Sequence, residues 1–255
     1  MLVAHAAEEG IAIHLAPTVI GHVFGVPVTN TLLTVWFVIG LLVVGSLLLQ
    51  RKLSLVPGKV QLLTEMLIGG AYDYVKDVLE SEVLARRFFP LIMTIFVFIL
   101  AANWVGLLPG VDSIGFYGTE HGEETFMPFL HPANTDLNVT LALAIVSVLV
   151  VEISGVLIIG FLKYTSKFVN FKSPLAFVIG IIELFSEIAR LISFSFRLFG
   201  NIFAGKTLLL IAIFFVPFVV PVPILAFEMF VGFIQAFIFA VLTLFFIKLA
   251  IEEPH

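Results

Sequence analysis

The chain contains no cysteine, which removes disulfide frameworks, thiolate nucleophiles and cysteine-held metals from consideration. It is also poor in charge. Asp, Glu, Lys and Arg make up 12% of the 255 residues, against 60% hydrophobic, too little polar surface to cover a water-soluble globule of this size. The few basic residues form no patch of the kind that binds nucleic acid. Histidine is scarce where it would matter: His5, His14, His22, His121, His131 and His255 all lie outside the long apolar runs, which argues against a haem or zinc held by histidine inside a membrane. No metal or cofactor is expected. A nucleotide site is not expected either, because Gly205, Lys206 and Thr207 sit within an apolar segment and lack the upstream glycine of a phosphate-binding loop.

What is abundant is apolar run. A spanning helix needs about 20 mostly apolar residues, and such runs occur at 31–50, 88–108, 137–161, 174–215 and 224–250. The first is preceded by Glu8 and Glu9 and followed by Arg51 and Lys52. That is the reverse of a secretory signal, so it reads as a retained anchor. The fourth is too long for one perpendicular crossing and must tilt strongly or lie partly against protein and water. Segment 59–82 differs, with Leu62, Leu63, Met66, Leu67, Val75 and Val78 near helical spacing among charged residues, and predicts a helix lying in the interface.

The fold expected is all-α: one polytopic transmembrane channel domain over 1–255, with five crossings and one interfacial amphipathic helix. Basic residues orient it. Arg51, Lys52, Lys59, Lys76, Arg86 and Arg87 follow the first span, Lys163, Lys167 and Lys172 follow the third, and neither the tail 1–30 nor the loop 109–136 has Lys or Arg. The positive-inside rule then puts the N-terminus outside and the C-terminus in the cytoplasm.

Arg197 stands in LISFSFRLFGNIFAG, far from either end of its run. A charge in the middle of a lipid-exposed helix costs roughly 3 kcal/mol on insertion scales. Its guanidinium does not release a proton at any working pH, so Arg197 is a fixed positive charge and not a relay. Glu183 and Glu187 share a helix face and Arg190 follows three residues later; Glu183 is a candidate proton acceptor, while Glu187 and Arg190 read as a local ion pair. On the other side of Arg197, Asn201 faces the same way. Glu228 and Gln235, two turns apart, share a face of the last span, so the two polar stripes of antiparallel neighbours are candidates to meet. Lys206 either neutralises Glu228 or snorkels toward the headgroups. Glu152, Asn103, Asp136 and Asn138 are further candidates for channel lining, although a hydrogen bond to a neighbouring helix explains Glu152 equally well, and helix ending and capping explain Asn103, Asp136 and Asn138.

Four segments, NWVGLLPG at 103–110, PANTDLNVTLALA at 132–144, RLFGNIFAG at 197–205 and IQAFIFAVLTLFF at 234–246, resemble subunit a of the F-type ATP synthase, the membrane stator of its proton channel. The likeness runs from Arg51 onward and is most specific in the third and fourth segments. It implies a proton-translocating, non-catalytic subunit whose last two crossings form a long tilted hairpin against a rotating ring of small hairpin subunits (subunit c), with a peripheral-stalk subunit b and other synthase subunits as partners. It further implies two offset half-channels that meet at a ring carboxylate, with the arginine at position 197 between them. Asn201, Glu228 and Gln235 would belong to the outer half-channel and Glu183 to the cytoplasmic one. Many members carry glutamate or histidine where this chain has Lys206, and often histidine where it has Glu228. A lysine relays protons poorly unless burial lowers its pKa, so Glu228 is expected to act more nearly alone. A proton-coupled secondary transporter is the alternative; it calls for a repeat that is not evident here. The compact chain and lack of an organelle presequence suggest a bacterial plasma membrane.

Overall fold

The computed structural model describes residues 17–51, 53–108, 110–120, 123–168 and 173–252. Most of the N-terminal tail, with His5 and His14, and also Lys52, Pro109, His121, Lys172 and His255 lie outside the described residues. A hairpin of β1 (Val19–Val23) and β2 (Val26–Thr29) leads into α1 (Asn30–Arg51). Phe24 and Gly25 form its tight turn, both at positive φ, the conformation that matches strand twist in a two-residue turn. Next come α2 (Lys59–Leu79), α3 (Glu82–Gly106), a second hairpin of β3 (Gly115–Glu120) and β4 (Glu123–Pro128), and α4 (Leu137–Ile159). A short helix, α5 (Phe161–Thr165), precedes the long pair α6 (Pro174–Phe215) and α7 (Pro221–Ile251).

The chain is thus an all-α polytopic membrane protein decorated by two small hairpins. The hairpins were not legible as strands, because they lie in short mixed segments that a search for long apolar runs passes over. Four helices, α1, α3, α4 and α7, are long and apolar enough to cross a membrane by length and composition. The charged helix α6, expected from the sequence as a further crossing, is not among these four. Its 42 residues span about 63 Å at 1.5 Å per residue, roughly twice the thickness of a hydrocarbon core. Caps fix several helix starts: Ser81 Oγ accepts from Leu84 N at 3.4 Å, Asp136 Oδ1 from Asn138 N at 2.9 Å, and Ser173 Oγ from Ala176 N at 3.1 Å, with Pro174 in the first helical turn. α2 has a markedly two-sided surface, burying Val75 and Leu79 while Lys59, Val60, Leu62 and Leu63 stay exposed.

Lipid tails are as apolar as leucine, so these helices associate by close packing and interhelical hydrogen bonds, not by burial from water. Small residues along α7, Gly232, Ala236, Ala240 and Ala250, are all buried and let neighbouring backbones approach. Midway, Phe194 of α6 stacks on Phe239 of α7 with centroids 4.8 Å apart, in a cluster with Ile95, Ile99, Ala144 and Leu198. A second cluster gathers Val75, Phe88, Ile92, Val151, Tyr164, Leu244 and Ile247 at the end of the bundle that holds α5. These two clusters fix α6 and α7 against α3 and α4, and so fix where the polar groups of the hairpin fall.

Candidate functional site

Polar groups gather at two levels on either side of Arg197. At the end where α4 starts, Glu228 is 4% exposed and forms no ion pair among the described residues. It lines a cavity of about 240 Å³ together with Asn103, Pro132, Gly205 and Lys206. Gly205 is what admits it: a Cβ at that position would meet the Glu228 carboxyl group directly. Here a glycine is needed for close approach across the hairpin and not for its backbone angles.

Amide groups frame this carboxyl. Asn103 Nδ2 donates to Gly232 O at 2.9 Å, and Asn134 Nδ2 donates to Asn103 Oδ1 at 2.7 Å. Trp104 Nε1 donates to Met229 O at 3.1 Å. The bonds from Asn103 and Trp104 pin α3 to α7 at Gly232 and Met229, just after Glu228. Asp136 caps α4 and accepts from Thr31 Oγ1 at 2.8 Å, which ties α1 to the same end. Asp136 is 5% exposed while Asn138 is exposed. Lys206 reaches His131, its Nζ lying 3.1 Å from Nδ1 and 3.2 Å from Nε2. His131 was not foreseen as a site residue, since it sits in the loop before Pro132 and only the folded chain sets it beside α6.

Deeper along the hairpin, Asn201 Nδ2 donates to Gln235 Oε1 at 2.7 Å, so the two polar stripes do come together. Gln235 is 2% exposed and its Nε2 has no hydrogen-bond partner among the described residues. Arg197 lies one turn from Asn201. It is half-buried, donates from Nη2 to Ser193 Oγ at 3.1 Å, and makes no ion pair among the described residues. Ser193, Phe196 and Asn201 beside it are exposed, and Gly200 opens onto free space.

At the opposite level the charges are paired. Lys167 Nζ lies 2.5 Å from Glu183 Oε1 and 3.6 Å from Glu187 Oε1, and Arg190 Nη1 donates to Glu187 Oε2 at 2.5 Å. The Arg190 guanidinium also covers the Phe246 ring, 3.9 Å from its centroid. Tyr164 donates to Glu152 Oε2 at 2.9 Å. Burial, and then the bond to Glu152, push the Tyr164 phenol above its ordinary range. Gly155 seats this ring, because a Cβ there would collide with Tyr164 and with the Ala250 carbonyl. Glu183 is therefore engaged with a lysine from the connecting segment, a contact that helical spacing alone does not reveal.

A polytopic helical membrane protein with an arginine that has no ion partner among the described residues, set between two polar levels, is the class that fold and site define. Residues 32–248 match the family described as ATP synthase A chain. Among relatives, ATP synthase subunit a of Moorella thermoacetica is 31% identical over 234 residues, covering 92% of this chain and 96% of the relative. The subunit of that name in Trichlorobacter lovleyi is 34% identical over 228 residues, 89% of each chain, and that of Geotalea daltonii is 33% identical over 220 residues, 86% of each. The chain belongs to the ATP synthase A chain family: it is a multi-pass, proton-translocating membrane subunit and not an enzyme on its own.

Proposed function

We propose that this chain conducts protons through two offset half-channels to a carboxylate on a rotating ring of small hairpin subunits, with Arg197 as the electrostatic separator. The observation that carries the reading is the state of Arg197, half-buried on an exposed face of α6 with a serine hydroxyl and no carboxylate for company among the described residues. Such a charge is costly inside a membrane, and an ionised carboxylate on a neighbouring subunit offsets the cost. The exposed apolar surface of α6, including Ile182, Phe185, Ile192 and Phe196, suits a closely packed ring.

In this scheme the N-terminus lies outside and the C-terminus in the cytoplasm of a bacterial plasma membrane, and a peripheral-stalk subunit b and the other synthase subunits complete the assembly. A proton from outside travels past Asp136 and Asn138 into the cavity that Glu228 lines with Asn103 and Lys206, and passes Gln235 and Asn201 to a ring carboxylate. Neutralised, that carboxyl can turn into lipid, where its charged form would be expensive. After nearly a full turn it releases the proton toward Glu183, and Arg197 stabilises the ionised form. A fully desolvated pair would trap the rotor, and the amides of Gln235 and Asn201 moderate the attraction. Separate half-channels prevent a continuous wire that would dissipate the gradient.

Vesicles carrying the intact complex with Arg197→Ala test this. The expected outcome is loss of ATP-driven acidification with assembly retained, and passive proton leak once the catalytic head is stripped. Pumping at near wild-type rates overturns the assignment.

A further inference from the structure

In the scheme above, Arg197 guards the surface that α6 turns outward. Behind it, inside the bundle, the two polar levels face each other through a single apolar layer. On one side of that layer lie Gln235 and the buried pair of Thr140 and Ser195, whose hydroxyls are 3.3 Å apart between α4 and α6. On the other side lie Ser147, Thr243 and Glu187, all buried, with Arg190 held over the Phe246 ring.

The layer itself is hydrocarbon. Residues 236–242 of α7 read AFIFAVL, so Gln235 and Thr243 stand about 12 Å apart along the helix, at 1.5 Å per residue, with no polar side chain between them. Phe239 lies midway, 1% exposed and stacked on Phe194 with centroids 4.8 Å apart. Phe194 in turn meets Phe246, the ring under Arg190, at 5.6 Å. Ile95, Ile99 and Ala144 close the layer from α3 and α4.

On α4 the interruption is one residue deep. Its buried stripe includes Thr140, Ala144, Ser147, Val151 and Ser154, successive positions about one turn apart, so Ala144 alone breaks the run of hydroxyls from Thr140 to Ser147. Gln235 Nε2 and Ser147 Oγ, which flank the layer, are buried without a hydrogen-bond partner among the described residues. Such groups take water as a partner where it can reach them. A string of water joining them would pass protons between the two levels and bypass the ring. An apolar constriction prevents this by dewetting.

We propose that the Phe194–Phe239 layer is a second, internal seal, which keeps water and protons from crossing within this chain while Arg197 does so at the surface that meets the ring. The inference rests on the proton-conducting reading above. Phe194 and Phe239 handle no proton; they fill the passage between groups that do. Insulation is thus divided between a charge, where a moving carboxylate needs a partner, and hydrocarbon, where nothing moves.

The test uses the intact complex in vesicles, with the ring carboxyl replaced by its amide so that the rotor path carries nothing. Decay of an imposed pH gradient is followed with a fluorescent dye. Phe239→Ser removes the aromatic ring and supplies a hydroxyl. Ala144→Ser keeps both rings and completes the hydroxyl run, a smaller change that serves where Phe239→Ser fails to assemble. Phe239→Ser is expected to speed the decay severalfold over the parent, and Ala144→Ser to speed it less. Phe239→Leu, which keeps the layer apolar, should leave it unchanged. Arg197→Ala should leak only where the ring carboxyl is present, because its route runs through that group. Both serine variants decaying at the parent rate would overturn the seal. So would Phe239→Leu leaking as fast as Phe239→Ser, since loosened packing would then be the cause. ATP-driven pumping by the parent with the amide ring would instead overturn the reading on which the seal rests.

Discussion

The two polar levels of this bundle handle ionisable groups in opposite ways. Around Glu228 the neighbours are mainly neutral amides, a glycine and a cavity of about 240 Å³, and the carboxyl has no ion partner among the described residues. Around Glu187 the neighbours are cations at 2.5 to 3.6 Å and aromatic rings. The first arrangement leaves room for water and for a proton to arrive. The second holds its carboxyls in place with ion pairs. The long pair α6 and α7 thus carries a roomy, neutral surrounding at one level and an ion-paired one at the other.

Filling the roomy level is the most severe way to break this contrast. Gly205→Val places side-chain atoms where the Glu228 carboxyl lies, and passive proton flux through head-stripped vesicles is expected to fall about hundredfold, the size of effect that follows loss of one positioned proton-transfer group. A smaller effect follows from Asn103→Leu, which removes the bond to Gly232 and leaves the Asn134 amide unpaired. It should cost about 1–2 kcal/mol of stability, in the range of interhelical hydrogen bonds in membranes, read as a lower denaturation midpoint in detergent. Were Asn103→Leu as stable as wild type, the amide frame would be incidental to the placement of α7.

The least effect is expected at the exposed pair of Glu80 and Lys248. The hydrogen bond and charge of Lys248 hold the Glu80 carboxyl below its usual range. A depressed carboxylate contributes stability above its unfolded pKa and loses it as pH falls through the folded value. Wild type and Glu80→Gln should therefore differ slightly in melting temperature at neutral pH and converge in acid. Because the pair is solvent-screened, a large difference at neutral pH would mean that α2 is anchored mainly by charge and not by Val75 and Leu79.

Hydrophobic run length made the helices readable, and α6 begins and ends at 174 and 215 as the sequence suggests. Other boundaries moved. α3 starts at Glu82 and not at 88, because Ser81 caps it, and α7 starts at Pro221, since proline is well placed in a first turn. The meeting of Asn201 with Gln235 was visible because both lie on regular helices joined by a short turn, so periodicity carried over into three dimensions. The partners of Lys206, Glu183 and Glu152 were not. His131, Lys167 and Tyr164 all come from connecting segments, whose path no periodicity encodes. Helical spacing leaves Lys206 either to pair with Glu228 or to snorkel; in the fold it contacts His131, while Glu228 packs against Gly205.

The turn between α6 and α7 spans only residues 216–220, and this bears on how the protein is made. Alone, α6 would have to enter the bilayer with Arg197 at its middle, at roughly 3 kcal/mol for that residue. Five residues cannot hold α7 at a distance while this happens. Entering as one unit with α6, and with Gln235 beside Asn201, the strongly apolar α7 offsets that cost for its charged companion, so a short turn favours joint insertion of the two helices.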